Sequence, residues 1–129
     1  MVIDTSAIVA ILFDEPERDH FTGLIDEAGL RLASVVGRVE AVCVIEGRKH
    51  EAGRERLDRF FRLTGAEIVG VTPELPEVAV EAFRRFGRGR HPARLNIGDC
   101  FAYALAKTTG EPLLFKGADF GRTDVVAVA

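Results

Sequence analysis

Met1-Val2-Ile3-Asp4-Thr5-Ser6-Ala7-Ile8-Val9-Ala10-Ile11-Leu12-Phe13 is the stretch on which the reading of the fold turns. Met1-Val2-Ile3 is short, apolar and β-branched, as a buried strand is. Asp4-Thr5-Ser6 follows at once and can cap a helix. Ala7 to Phe13 is nearly all apolar, which reads as a helix buried on most sides. A strand that passes directly into a buried helix, with an acid at the junction, is the start of a βα unit.

The same alternation continues along the chain. Asp14-Glu15-Pro16-Glu17 opens a second helix, with proline in its first turn and acids near the positive end of the dipole. Phe21, Leu24, Ile25 and Ala28 repeat at helical spacing up to Gly29. Leu30 to Ala33 predicts a strand, and Ser34 a cap. Val35, Val36, Val39, Val42, Cys43 and Ile45 predict a helix that fades across Glu46 to Glu51. Leu57, Phe60, Phe61 and Leu63 predict another, ending at Gly65. Ile68 to Val71 reads as a strand, and Thr72 as the cap of a helix through Val78, Ala82 and Phe86. Gly87 to Arg94 is a basic loop. Asn96 caps a helix from Asp99 towards Gly110, and Pro112 to Phe115 and Asp124 to Val128 are the last strands. The expectation is an α/β fold with a central, mostly parallel sheet of about four to five strands and helices on both faces. In such sheets the working crevice lies at the carboxyl ends of the strands.

Composition excludes several classes. The 129 residues, 47% hydrophobic and 29% charged, predict a single domain over 1–129 rather than a disordered chain. No apolar run approaches the roughly 20 residues of a spanning helix, and no basic segment leads an apolar one at the N-terminus, so a cytoplasmic protein with no membrane partner is expected. Cys43 and Cys100, both in apolar contexts, read as free buried thiols. His20, His50 and His91 are scattered, which leaves neither zinc spacing nor a Ser/His/Asp constellation.

The acids are the next candidates. Asp4 follows the first strand, where it is either a helix cap or a functional carboxylate. Glu40, among Val36, Val39 and Val44, is either a surface side chain or the edge of a cleft. Asp99 suits the first turn of its helix, yet Cys100, Phe101 and Ala102 crowd it. Asp119 falls in the turn Lys116-Gly117-Ala118-Asp119-Phe120. Each has a structural explanation, but a parallel sheet can bring all four to one end. Carboxylates about 4 Å apart repel by roughly 4 kcal/mol at an effective dielectric near 20, so such a group needs a cation. Oxygen-only ligation points to Mg²⁺ or Mn²⁺, and such sites cleave phosphodiesters.

The sequence resembles the PIN-domain ribonucleases of the VapC toxin type. The likeness is carried by Val2-Ile3-Asp4-Thr5-Ser6-Ala7, by Val39-Glu40-Ala41, and by the run from Gly87 through Leu95-Asn96-Ile97-Gly98-Asp99-Cys100-Phe101-Ala102-Tyr103-Ala104 to Leu113-Leu114-Phe115-Lys116-Gly117. The resemblance implies a three-layer α/β/α PIN-like fold and a Mg²⁺-dependent endoribonuclease of a type II toxin–antitoxin pair. Its acidic site would be Asp4, Glu40, Asp99 and Asp119, with Asp4 and Asp99 the firmest metal ligands, Thr5 or Ser6 supporting Asp4, and Asn96 supporting Asp99. It further implies a VapB-type antitoxin, an RNA substrate and a homodimer, for which Phe60 and Phe61 are candidate contacts. Ala118 leaves Asp119 as the acid of its turn, with Asp124 a distant second.

Other α/β readings fit less well. A haloacid-dehalogenase-type phosphatase needs a second Asp where Ser6 stands. A receiver-like signalling module would use Lys116 but lacks an acidic pair near Asp4, and a non-catalytic PIN-like binding module would not need four acids. The net charge of −3 at first argues against nucleic acid. However, Arg84, Arg85, Arg88, Arg90 and Arg94 put +5 into eleven residues and leave −8 elsewhere. Arg88, Arg90 and Arg94 are thus candidate RNA contacts, since the arginine fork suits phosphate oxygens.

Overall fold

The computed structural model describes residues 1–128. Strand β1 (Val2–Ile3) leads into helix α1 (Thr5–Leu12), capped by the Asp4 carboxylate, which accepts from the Ser6 backbone N–H at 3.0 Å. Helix α2 (Arg18–Glu27) follows, burying Phe21 and Ile25. Strand β2 (Leu32–Ser34) runs straight into α3 (Val35–Thr64), where the Ser34 hydroxyl oxygen accepts from the Val36 N–H. The helix is broken at His50 (φ 53°, ψ −139°), within the charged stretch where the periodicity fades, so the two predicted helices are present but abut. Gly53 makes that junction possible: a Cβ there would lie 2.6 Å from Lys49 Cβ and 2.7 Å from Ile45 Cγ2. Gly65, at φ 63°, closes the helix in the left-handed conformation.

Strand β3 (Glu67–Val69), helix α4 (Leu75–Phe86), helix α5 (Ile97–Thr109) and strand β4 (Leu113–Leu114) complete the regular elements, with a 3₁₀ turn at Phe120–Arg122. The sheet order is β3-β2-β1-β4 and every pairing is parallel. Strand side chains alternate between faces. Val2 and its neighbour Leu113 therefore join Leu75, Ala82, Phe86 and Leu105 in a core beneath α4 and α5. Ile3 and Leu114 join Ile8, Ile25, Ile45 and Leu57 on the opposite face. This is the three-layer α/β/α arrangement expected from the alternation of strands and helices.

Several local expectations change. The predicted last strand shrinks to one bridge, Leu113 to Ala127, with Leu113 N–H donating to Val126 O at 2.8 Å. Thr72 is not the cap of α4: Glu74 occupies that position, and only the Thr72 carbonyl engages, accepting from Leu75 N–H. The second helix starts at Arg18, after a turn, not at the acids around Pro16. Cys100 is buried as expected but Cys43 is exposed, because it lies on the outer side of α3. Phe60 is core, and the partly buried Phe61 stands edge-on against it.

The basic loop is closed by a parallel bridge between Gly87 and Leu95. Within it Arg94 has φ 54°, a region that an L side chain occupies at a cost of about 1 kcal/mol. Arg94→Gly should therefore raise stability by about 0.5–1 kcal/mol, seen as a higher urea midpoint at unchanged slope. A lower midpoint would mean that the arginine side chain itself holds the loop.

Candidate active site

The sheet order reverses at β1, whose neighbours are β2 on one side and β4 on the other. The crevice at the carboxyl ends of β1 and β4 is thus the topological switch point of the fold. Asp4 stands there, 5% exposed, its backbone N–H donating to Leu114 O at 2.9 Å. Ser6 binds the Asp4 Oδ2 twice, through its N–H at 3.0 Å and its hydroxyl at 2.6 Å. The Ser6 oxygen in turn accepts from the Lys116 N–H at 3.0 Å, which ties the loop after β4 to the loop after β1. The Lys116 ammonium pairs with Glu15, and with Glu17 at 3.0 Å. Of the two candidate supports for Asp4, then, Ser6 supplies the hydroxyl. The Thr5 hydroxyl instead donates to Gly37 O at 2.9 Å and fastens the first turn of α3 over that of α1.

Glu40 projects from α3, half-buried, with its carboxylate against Gly98 at the start of α5. Asp99, also half-buried, forms a capping box with Asn96. Asn96 N–H donates to Asp99 Oδ2 at 2.9 Å, and Asp99 N–H donates to Asn96 Oδ1 at 2.8 Å. Asn96 is therefore confirmed as the cap. Asp119 is exposed, at the head of the 3₁₀ turn that follows β4.

Charge ties these groups together. Burial pushes the Asp4 carboxyl above its ordinary range, against the lowering effect of the Ser6 bonds, and the Glu40 charge pushes it further. The Asp99 carboxyl is raised to about 6, first by burial, opposed by the Asn96 bond, then by the negative charges of Asp4, Glu40 and Asp119. Asp99 thus feels the charge of acids from three other segments. Among the described residues none of the four has an ion-pair partner. Nor, among the described residues, do three His, Cys, Asp or Glu side chains stand close enough to hold one ion. Asp4 and Asp99 are drawn into local capping bonds instead. The donor set, all carboxylate oxygen with uncompensated negative charge, fits a hard divalent cation.

The remaining candidates separate cleanly. Asp124 accepts from the Tyr103 hydroxyl at 2.6 Å and pairs with Lys107 and Arg85, which hold it below the usual carboxylate range away from the acidic group. Arg84 pairs with Glu81. Arg88, Arg90 and Arg94 are exposed and have no ion-pair partner among the described residues. The long-range role of Lys116, and the tie it makes through Ser6, could not be read from spacing, because its partners lie about 100 positions away.

The raised Asp99 carboxyl has a measurable consequence. Between pH 4 and about 6 the folded chain holds a proton that the unfolded chain releases, so this group's contribution to stability falls as pH rises through that window. Asp99→Asn should flatten the slope and raise the melting temperature of the EDTA-treated protein at pH 7.5 by a few degrees. A variant as pH-dependent as the wild type, and no more stable, would mean that Asp99 does not carry this repulsion.

Comparison with known proteins identifies the family. The PIN domain profile matches residues 1–126. Ribonuclease VapC30 of Mycobacterium tuberculosis is 46% identical over 129 residues, covering all of this chain and 98% of its own. Ribonuclease VapC of Mycolicibacterium smegmatis is 48% identical over 128 residues, 99% of each chain. Among solved structures, the sarcin–ricin loop cleaving toxin VapC20 of M. tuberculosis superposes with a TM-score of 0.79 at 19% identity, covering 98% of this chain and 97% of that one. VapBC2 of Rickettsia felis, bound to a DNA fragment from its promoter, gives a TM-score of 0.76 at 15% identity, with 99% and 96% covered. On the strength of the profile and of the sequence relatives, the chain belongs to the PIN-domain family, in its VapC ribonuclease branch.

Proposed function

We propose that residues 1–129 form one PIN domain acting as the Mg²⁺-dependent endoribonuclease toxin of a type II toxin–antitoxin pair. The observation that carries this reading is Asp4, buried at the switch point of a parallel sheet, with Asp99 raised by the charges of Asp4, Glu40 and Asp119 and no ion-pair partner for any of the four among the described residues. The VapC relatives named as ribonucleases support the substrate class, and the toxin–antitoxin complexes among the structural relatives support a VapB-type antitoxin as partner.

In this reading Asp4 and Asp99 hold the cation (Mg²⁺, or Mn²⁺ in its place), with Glu40 and Asp119 completing its surroundings. The bound cation would supply a water nucleophile at neutral pH and stabilise charge on the phosphate. Ser6 fixes the Asp4 carboxylate by holding Oδ2, and Asn96 fixes Asp99 by holding its Oδ2. Arg88, Arg90 and Arg94 contact the RNA phosphates, for which their unpaired guanidinium groups are suited. A homodimer is the assembly that this reading expects.

Purified protein should cut RNA with Mg²⁺ or Mn²⁺ and stop in EDTA. Asp4→Ala should lose at least about 100-fold in rate, the scale of a lost electrostatic contribution at a reacting phosphate. Cleavage that persists in Asp4→Ala would place the chemistry elsewhere. Replacing Arg88 and Arg90 together by Ala should weaken RNA binding and lower the slope of log K against log salt by about 1–2. An unchanged slope would remove these residues from the interface.

A further inference from the structure

We propose that Gly98 is a positioning residue: its missing side chain is the space in which the Glu40 carboxylate reaches the start of α5. A Cβ on Gly98 would stand 2.6 Å from Glu40 Oε2, 2.8 Å from Oε1 and 2.9 Å from Cδ, separations that a real Cβ does not adopt. The backbone gives no other reason for glycine here. Gly98 lies inside α5, in its first turn, and is absent from the glycines with positive φ. Glycine weakens a helix relative to alanine. A helix former has thus been given up at the residue before Asp99, at the one place where a carboxylate from another helix occupies the vacated volume.

The geometry also says what alanine would do. The atoms in the way are the far end of a flexible side chain, so the fold can absorb a methyl group by turning Glu40 aside. The chain would remain folded, and Glu40 would leave the neighbourhood of Asp99 and Asp4, whose carboxyls its charge now influences. Gly98→Ala is therefore a change at a position with no functional atom that displaces a functional group. This inference rests on the proposed metal site, and it predicts an unusual combination: stability equal to or above wild type with impaired cation binding.

The test is Mn²⁺ binding to the purified full-length chain, followed by titration calorimetry and by the electron paramagnetic resonance signal of free Mn²⁺, together with thermal melting. Wild type, Gly98→Ala, Glu40→Gln and the double variant form one cycle. Gly98→Ala is expected to weaken Mn²⁺ binding roughly tenfold or more, the scale on which supporting residues act on a metal site, with an unchanged or higher melting temperature. In the Glu40→Gln background the same substitution should change affinity by less than twofold, because the group it displaces no longer carries charge. The proposal is overturned if Gly98→Ala binds Mn²⁺ within twofold of wild type, or if its loss is as large with Gln at position 40. It is overturned too if the variant melts well below wild type, which would make Gly98 a packing residue. Wild type that fails to bind Mn²⁺ would instead remove the metal site itself, and the inference with it.

Discussion

A carboxylate buried at the end of the first strand constrains everything around it. Asp4 is 5% exposed and, among the described residues, no cationic side chain pairs with it. A charge in such a place is unfavourable by several kcal/mol unless donors replace the lost water. Ser6 supplies two, and holds a third group, the Lys116 N–H, on its own oxygen. The polar chain from the β4 loop through Ser6 to Asp4 therefore explains why the loop after the last strand is fixed where it is. The Lys116 ammonium, gripped by Glu15 and Glu17, anchors the same loop to the turn between α1 and α2. A half-exposed ion pair of this kind adds little to overall stability, but it fixes the geometry of a segment that has only a two-residue strand to hold it.

Much of the fold was legible because its signals are local. The passage from β-branched Val2-Ile3 into capping Asp4, the Ser34 and Asn96 caps, and the glycines at 65 and 110 are all written within a few residues of where they act. The break in α3 was legible as a loss of periodicity at Glu46 to Glu51, though not its abruptness at His50. Boundaries failed where burial on the third dimension decides. The segment near Val126 is apolar enough for a strand, yet only one residue pair bridges to Leu113, and Val126 stays 70% exposed.

The candidate site was legible as a set of acids, because a parallel sheet must deliver residues after β1 and β4 to one end. What the sequence could not supply was the relation between them. That Ser6 rather than Thr5 holds Asp4 follows from helix geometry meeting the β4 loop. That Asp124 is tied to Tyr103, and so removed from consideration, depends on where the C-terminal segment crosses α5. The space that Gly98 leaves for Glu40 joins two residues 58 positions apart, on different helices, and no local pattern encodes it.

The sheet order has one more consequence, in time rather than in space. Asp4 and Ser6 are synthesised about 110 positions before Leu114 and Lys116, to which they are bonded, and before the neighbouring Asp119. A nascent chain lacking β4 has no edge on which to seat the far side of β1, and the Ser6 oxygen has no Lys116 N–H to accept. Parallel pairing across such separations also forms late, because loop closure must precede the contacts that reward it. The acidic group is thus assembled only after Asp119 has been made, so a nascent chain that stops short of β4 lacks the arrangement of the folded form.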